Sequence, residues 1–298
     1  MKLVFKTPAK INLGLHILGK RPDGYHELET LFQMVSLYDQ IELELLPQGI
    51  EIECNMPGIP LDDSNLAVKA AKLVQETWPK QARGVRIRLS KKIPAGAGLA
   101  GGSGNAAGVL MGLNALWDLG TSRKGLIPLA NQLGSDVPFF LTAPCALGRG
   151  RGEVLEAIQN TKKYTVILVY PGFPIATSWV YQNLNLELTK KPKNISILQQ
   201  FLSQSKIGLL GEKLYNDLEP VVIKRYPEIQ VIKARLMAQG ADGVLLSGSG
   251  STVFALFEDS ARASAIDTDI DRGDGKQFLT ETITSFSEFL PGEILDRL

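Results

Sequence analysis

Cysteine and histidine are scarce in this chain. Its 298 residues hold two of each: Cys54 and Cys145, His16 and His26. Two cysteines make no disulfide framework, and two histidines make no zinc site. An excess of one charge is lacking too, since 32 Lys and Arg against 31 Asp and Glu leave +1. That removes the electrostatic case for nucleic acid or an anionic membrane surface as partner. No apolar run reaches membrane-spanning length. The start, Met1-Lys2-Leu3-Val4-Phe5-Lys6, has too few apolar residues for a signal peptide. A cytoplasmic chain is expected. With 44% hydrophobic and 21% charged residues, it has the composition of one large or two ordinary domains.

Glycine is abundant in one place. Residues 94–107 read P-A-G-A-G-L-A-G-G-S-G-N-A-A, with five glycines from Gly96 to Gly104. So many glycines disfavour both a packed strand and a helix turn. Before them, Val85, Ile87 and Leu89 alternate with Arg86 and Arg88, the pattern of a half-buried strand. After them, Ala106, Val109, Leu110, Leu113, Leu116 and Trp117 have helical spacing. The glycines therefore join a strand to a helix N-terminus. Free N–H groups and the helix dipole converge there, which suits a phosphate. A Walker loop is excluded, because no lysine follows the glycines. The dinucleotide pattern G-x-G-x-x-G is present as Gly96, Gly98 and Gly101. It is weakened by Lys91 to Ala95, which separate strand from loop, and by the place of Asp118 at a helix end. A ligand-free glycine turn is the bland alternative. A nucleophilic Ser103 fails, because Asn105 stands where glycine is needed and both histidines lie upstream.

The remaining chain supplies chemistry at a few points. Ile11, Leu13, Leu15 and Ile17 alternate with Lys10, Asn12, Gly14 and His16, so a strand with a polar face is predicted. For Lys10 and Asn12 a solvated surface is the plain reading. Asp23-Gly24 makes a turn before Tyr25-His26. Residues 31–46 suggest a hairpin broken at Tyr38-Asp39-Gln40, and Glu51 to Cys54 a further strand. Ser64 is the expected N-cap of a helix from Asn65 to Trp78. A second helix spans Lys124 to Leu133 and stops at Gly134. Asp136 then sits in an apolar setting, with an N-cap of a short helix as its plain role. Gly148 to Glu153 reads as a flexible basic loop near a domain boundary. Strands are expected over Tyr164 to Tyr170, Val244 to Leu246, Thr252 to Leu256 and Gln277 to Ile283. Helices are expected over 175–184, 195–204, 209–224 and 228–239. Thr189 to Asn194 reads as a charged linker. Asp267, Asp269 and Asp271 imitate a calcium loop but lack its glycine and its closing glutamate, so a polar loop is expected.

Three blocks, P-A-K-I-N-L at 8–13, the glycine-rich 94–107 and S-G-S-G-S-T-V-F at 247–254, resemble the three motifs of the GHMP kinases. D-G-Y-H-E-L at 23–28 and L-G-S-D-V-P-F-F at 133–140 narrow the resemblance to the branch that acts on a cytidine-diphosphate-linked sugar alcohol. The match runs from residue 5 to about 257. It departs at Gly104, where the family usually has a second serine, and at Ala100, where it usually has glycine. The resemblance implies an α+β fold of two domains with the active site between them. An ATP-binding domain of ribosomal-protein-S5-like fold would span 1–158, and a ferredoxin-like α/β domain 159–298. It implies a monomer or weak homodimer that phosphorylates a small molecule, the 2-hydroxyl of a methylerythritol unit, with ATP and Mg²⁺. Lys10 and Asp136 match the catalytic pair. Pro94, Ala95, Gly96, Ala97, Gly98, Leu99, Ala100, Gly101, Gly102, Ser103 and Gly104 match the phosphate loop, with Asn65, Leu66 and Lys91 near the adenine. Asn12, Tyr25, His26, Tyr181, Gly248 and Gly250 match the substrate side. Ser103 is the one contact offered to Mg²⁺, and no firm protein ligand set for it is expected. Two rivals are a GHMP kinase for homoserine or a mevalonate derivative, whose substrate has no base to stack on D-G-Y-H, and a dinucleotide-binding oxidoreductase.

Overall fold

A computed structural model describes residues 1–160, 162–185, 193–266 and 275–298. The segment Thr189 to Lys191 with Pro192, and Asp267, Asp269 and Asp271, lie outside the described residues.

The chain opens with two long antiparallel strands, β1 (Lys2–Lys20) and β2 (His26–Leu46). They are followed by β3 (Ile50–Cys54), α1 (Leu66–Thr77), β4 (Gly84–Ser90), α2 (Gly101–Leu116), α3 (Arg123–Leu133), α4 (Phe139–Thr142), β5 (Cys145–Arg149) and β6 (Val154–Ala157). The second half holds β7 (Thr165–Tyr170), α5 (Thr177–Gln182), α6 (Ile195–Ser203), α7 (Ile207–Glu212), β8 (Tyr215–Asn216), α8 (Glu219–Arg225), α9 (Glu228–Ala238), β9 (Gly243–Leu246), β10 (Val253–Phe257), α10 (Ser260–Ser264), β11 (Lys276–Glu281) and α11 (Gly292–Leu295). Among the described residues, one sheet runs β3-β4-β2-β1-β8, with β5 paired to β2 and β6 to β5, and the other runs β11-β7-β10-β9. Two features cross the expected division at 158/159. Strand β8 pairs in parallel with β1, and Ile283, Phe286, Phe289, Leu290 and Ile294 return to the first core.

Strand β1 alternates as predicted, but it is buried on both faces from Thr7 to Ile17. Its start, Leu3 and Phe5, packs on α2, its middle, Ala9, Ile11 and Leu13, packs with β7 and β10 of the second sheet, and Leu15 and Ile17 join a cluster with β7, α8 and α9. The polar face is therefore not a solvated face. Lys10 is 4% exposed and Asn12 2%. Helix α2 is buried along nearly its whole length. A Cβ at Gly108 would stand 2.5 Å from Thr7, so glycine lets this helix lie directly on β1.

Several local expectations are corrected. Residues 31–46 form no hairpin: Tyr38, Asp39 and Gln40 pair with Pro8, Thr7 and Lys6, and the irregularity is a register shift between Pro8 and Ala9. Such a bulge bends a strand without ending it. The N-cap of α1 is Asn65, whose side chain accepts from Ala67 N, whereas Ser64 bonds to Asp62. Gly101, Gly102 and Gly104 lie inside the first turn of α2 rather than in a loop before it. Of Gly148 to Glu153, Gly148 and Arg149 end β5 and residues 150–153 are the tight connection to β6. The helix expected over 209–224 is two short helices, α7 and α8, separated by β8.

Candidate active site

Strand β1, the glycine-rich segment, the start of α1, the 247–251 turn and α5 surround a cavity of about 930 Å³. Main-chain hydrogen bonds hold the glycine-rich segment on three sides. Leu99 O accepts from Lys10 N (3.1 Å), Gly96 O from Ile175 N (3.0 Å) and Ala97 O from Thr252 N (3.1 Å). Gly98 has φ +76°, and a Cβ there would lie 2.0 Å from Ser247 O, so only glycine lets the two glycine-rich turns meet. Ala100, at the N-cap of α2, is left-handed (φ 54°), and no side chain caps the helix. Its first-turn N–H groups are therefore available to an anion, next to the positive end of the dipole. Glycine would take this left-handed backbone at less cost than alanine does.

Lys10 enters this space from β1. Its Nζ donates to Asn12 Oδ1 (2.7 Å) and to Gly98 O (3.1 Å) and stands 3.7 Å from Asp136 Oδ2. Asn12 in turn donates to Thr30 Oγ1, which donates to Gly14 O. Burial pushes the Lys10 ammonium below the ordinary lysine value, and Asp136 opposes that push. Asp136 comes just after α3, and its carboxylate caps no helix, because the N-cap position of α4 is Pro138. The plain roles of both residues, surface lysine and helix cap, are thus removed. What remains is a carboxylate beside a buried ammonium, facing a cavity with open N–H groups. That arrangement can take a proton from a hydroxyl and neutralise charge on a phosphoryl group.

Tyr25, His26 and Tyr181 line the other end of the cavity. The His26 and Tyr181 rings lie 5.1 Å apart at 35°, whereas Tyr25 is half exposed with the Arg151 guanidinium 4.8 Å over its ring. Burial and, less strongly, Lys20 hold the His26 imidazole below its usual value, which favours the neutral ring. Burial, with Asp136 second, pushes the Tyr181 phenol up.

The remaining expected residues divide. Asn65, Leu66, Lys91, Pro94, Ala95, Gly96, Ala97, Gly98, Ala100, Gly101, Gly102, Ser103 and Gly248 face the cavity, but Leu99, Gly104 and Gly250 do not. Leu99 turns into the core, a Cβ at Gly104 would meet Pro8 O at 3.0 Å, and one at Gly250 would meet Leu246 and Ile175. Lys91 is no free cation. Its Nζ bonds to the Asp39 carboxylate and to Asn105 Oδ1 (2.9 Å). Asp39 also accepts from Lys92 N (2.8 Å) and Ile93 N (2.9 Å), and Asn105 Nδ2 reaches both Asp39 and Thr7. This buried network joins the entry and exit of the glycine-rich segment. Sequence reasoning missed it, although an aspartate amid β-forming residues at 37–41 was a signal. For Mg²⁺, no group of three or more His, Cys, Asp or Glu side chains suited to a metal occurs among the described residues. The Ser103 hydroxyl, in the first turn of α2, faces the cavity. A metal held mostly by nucleotide phosphates and water needs no more than one or two protein oxygens.

The model for the GHMP kinases N terminal domain matches residues 65–143, and that for the GHMP kinases C terminal matches 198–271. The chain is 45% identical over 275 residues to the 4-diphosphocytidyl-2-C-methyl-D-erythritol kinase of Geobacter sp. (strain M21), covering 91% of this chain and 96% of that protein. The chain belongs to the 4-diphosphocytidyl-2-C-methyl-D-erythritol kinase family. A crystal structure of 4-(cytidine 5'-diphospho)-2C-methyl-D-erythritol kinase superposes with a TM-score of 0.81 at 35% identity, covering 95% and 99% of the two chains. A homoserine kinase from Cytophaga hutchinsonii ATCC 33406 gives 0.76 at 20% identity, covering 95% of each chain, which is a likeness of fold alone. Within this kinase family the dinucleotide reading of the glycines has no place. Strand β4, which feeds them, has no parallel successor beside it, since α2 leads to α3, α4 and a β5 paired with β2.

Proposed function

We propose that this chain transfers the γ-phosphoryl group of ATP to the 2-hydroxyl of 4-diphosphocytidyl-2-C-methyl-D-erythritol, a step toward isoprenoid precursors by the non-mevalonate route. The observation that carries the reading is the Lys10–Asp136 pair, 3.7 Å apart, between a phosphate-suited helix start and an aromatic platform. In this reading Asp136 accepts the proton of the hydroxyl as its oxygen attacks the γ-phosphorus, and the bond to the departing ADP oxygen breaks. Lys10 and the first-turn N–H groups of α2 stabilise the charge on the transferred group, which is most of what phosphoryl transfer asks of a protein. Asn12 holds the Lys10 ammonium in place. Adenine lies by Asn65, Leu66 and the aliphatic stem of Lys91. The cytosine lies on the His26–Tyr181 platform, with Tyr25 at its edge. Mg²⁺ would supply charge neutralisation at the nucleotide phosphates, and the Ser103 hydroxyl would be the protein group to hold it. The test is a phosphoryl-transfer assay with the cytidyl substrate, homoserine and mevalonate in parallel. Turnover of the cytidyl substrate alone is expected. Equal or preferred turnover of homoserine or mevalonate would refute the reading.

A further inference from the structure

Residues Asn216, Asp217 and Glu219, expected within a helix, instead join the strand that carries Lys10 to the turn that closes over it. The main chain of Asn216 pairs with Leu15 of β1. Asp217 accepts from Ile17 N (2.8 Å) and lies 2.6 Å from His16 Nδ1 and 2.7 Å from Lys193 Nζ. On the other side, Glu219 Oε2 accepts from Leu246 N (2.9 Å). The buried Asn216 amide donates to Leu246 O (2.9 Å) and Gly248 O (2.7 Å), while its Oδ1 accepts from Leu218 N (2.9 Å). Gly248 is the wall behind Lys10: a Cβ there would stand 3.1 Å from Lys10 Nζ and 3.3 Å from both Asn12 Oδ1 and Gly98 O.

We infer that Asn216 is a positioning residue for the reaction, fixing the Gly248 turn and through it the place of the Lys10 ammonium. An amide suits this task because both its N–H groups meet main-chain carbonyls on either side of Ser247. Aspartate would set an oxygen against those carbonyls, and alanine would leave both without a donor. Released from Asn216, the turn moves off Lys10 and admits water behind the ammonium. The groups facing that ammonium are the Asp136 carboxylate, Asn12 Oδ1, Gly98 O and, at 5.7 Å, the Phe32 ring. Only Asp136 among them is charged, and it is not altered by the substitution. Hydration of Lys10 is thus the one change that acts on its titration.

The inference rests on the kinase reading for its kinetic consequence alone, so the test has an arm that needs no turnover. The titration of Lys10 is followed by NMR in lysine-labelled protein, assigned by the signal lost in Lys10→Met. In Asn216→Ala its midpoint should rise by about one pH unit, toward the ordinary lysine value. The kcat should fall roughly 10–100-fold, as expected of a misplaced catalytic group, with the KM for ATP changed less than about twofold. Asn216→Ser keeps one donor, is the milder change should the alanine variant fold poorly, and should show the same shifts at smaller size. Glu219→Gln weakens the neighbouring anchor on Leu246. It should lower Tm while leaving the Lys10 midpoint and kcat near the wild-type values. An unmoved Lys10 midpoint in the Asn216 variants, or an equal shift in Glu219→Gln, overturns the inference. Should the wild type fail to phosphorylate the cytidyl substrate, the kinase reading falls and the titration still decides the role of Asn216.

Discussion

Replacing Lys10 by methionine removes the buried ammonium and keeps most of its volume. At 3.7 Å from Asp136, with an effective dielectric of about 20, two unit charges interact by about 4–5 kcal/mol. The Asp136 side chain is 34% exposed, so water screens part of that. A loss of roughly 2.7–4 kcal/mol of transition-state stabilisation, the range for a deleted charge-stabilising donor, is consistent with this geometry. It corresponds to a kcat lower by about 10²–10³. Stability should respond much less. Asn12 Oδ1 and Gly98 O lose their donor at about 1–3 kcal/mol each, but the desolvation cost of a buried charge, several kcal/mol, is recovered. The assay is kcat at saturating substrates across pH, alongside Tm. The sign follows from the protonated form being the active one. Activity is present below the Lys10 pKa and lost as pH rises through it, and burial sets that pKa below the ordinary 10.5. The wild type should therefore lose kcat on the alkaline side earlier than an ordinary lysine would, and Lys10→Met should lack this limb. A kcat within about threefold of wild type, in a variant of unchanged Tm, would refute the assignment, because a surface lysine is worth no more than that.

Asp136→Asn keeps the shape without the proton acceptor, so kcat should fall by about 10²–10⁴ while the KM for ATP holds. Steady-state kinetics with each substrate varied in turn decide it. Tyr181→Ala removes one ring of the aromatic platform and should weaken the cytidyl substrate by roughly 1–3 kcal/mol with little effect on ATP. Equal loss for both ligands, read by calorimetry, would move the cytidine site elsewhere. Gly98→Ala places a Cβ 2.0 Å from Ser247 O at a residue with φ +76°. It should lower both Tm and kcat, since the two glycine-rich turns must separate, and a variant with wild-type Tm would contradict this packing.

The alternation of β1 was legible, but its meaning was not. A period of two says which residues share a face. It does not say that the glycine-rich segment and the 247–251 turn, at a long distance in sequence, close over the polar face and turn Lys10 and Asn12 into buried groups. The same distance hid the break at residues 213–218. Leu209, Leu210, Leu214, Leu218 and Val222 follow a helical period, so local pattern favours one helix. The partners that interrupt it, Leu15, Ile17 and Gly248, come from β1 and from the turn after β9. The N-cap of α1 was missed by one residue because Ser64 and Asn65 are both good caps, and which one takes the role depends on the Asp62 carboxylate already bonded to Ser64. Glycine composition argued against a helix turn at 101–104, yet the turn forms. Close contacts explain it: a Cβ at Gly101 would meet Ile93 at 2.9 Å, so the helix cost of glycine is accepted for the approach of α2 to its neighbours.

Lys91 illustrates how motif reading and charge can part. By sequence it is a lysine three residues before a phosphate-suited segment, which invites the idea of a cation for the nucleotide. In the fold its ammonium is held by Asp39, a carboxylate 0% exposed, and by Asn105. A buried ion pair presents no net charge, and its removal from one side typically costs about 3–5 kcal/mol. Its place ties the end of β4 to the first turns of α2, which sets the width of the segment between them. In the proposed reaction the charge that meets the phosphates is then asked of Lys10 and the open N–H groups of α2. Lys10 can supply it because the carboxylate beside it, Asp136, is a third exposed and 3.7 Å away rather than locked in a closed pair. Two buried lysines, one in β1 and one just past the end of β4, thus differ in what they offer, and only the partners of each, not the residue type or its distance from the glycines, tell them apart.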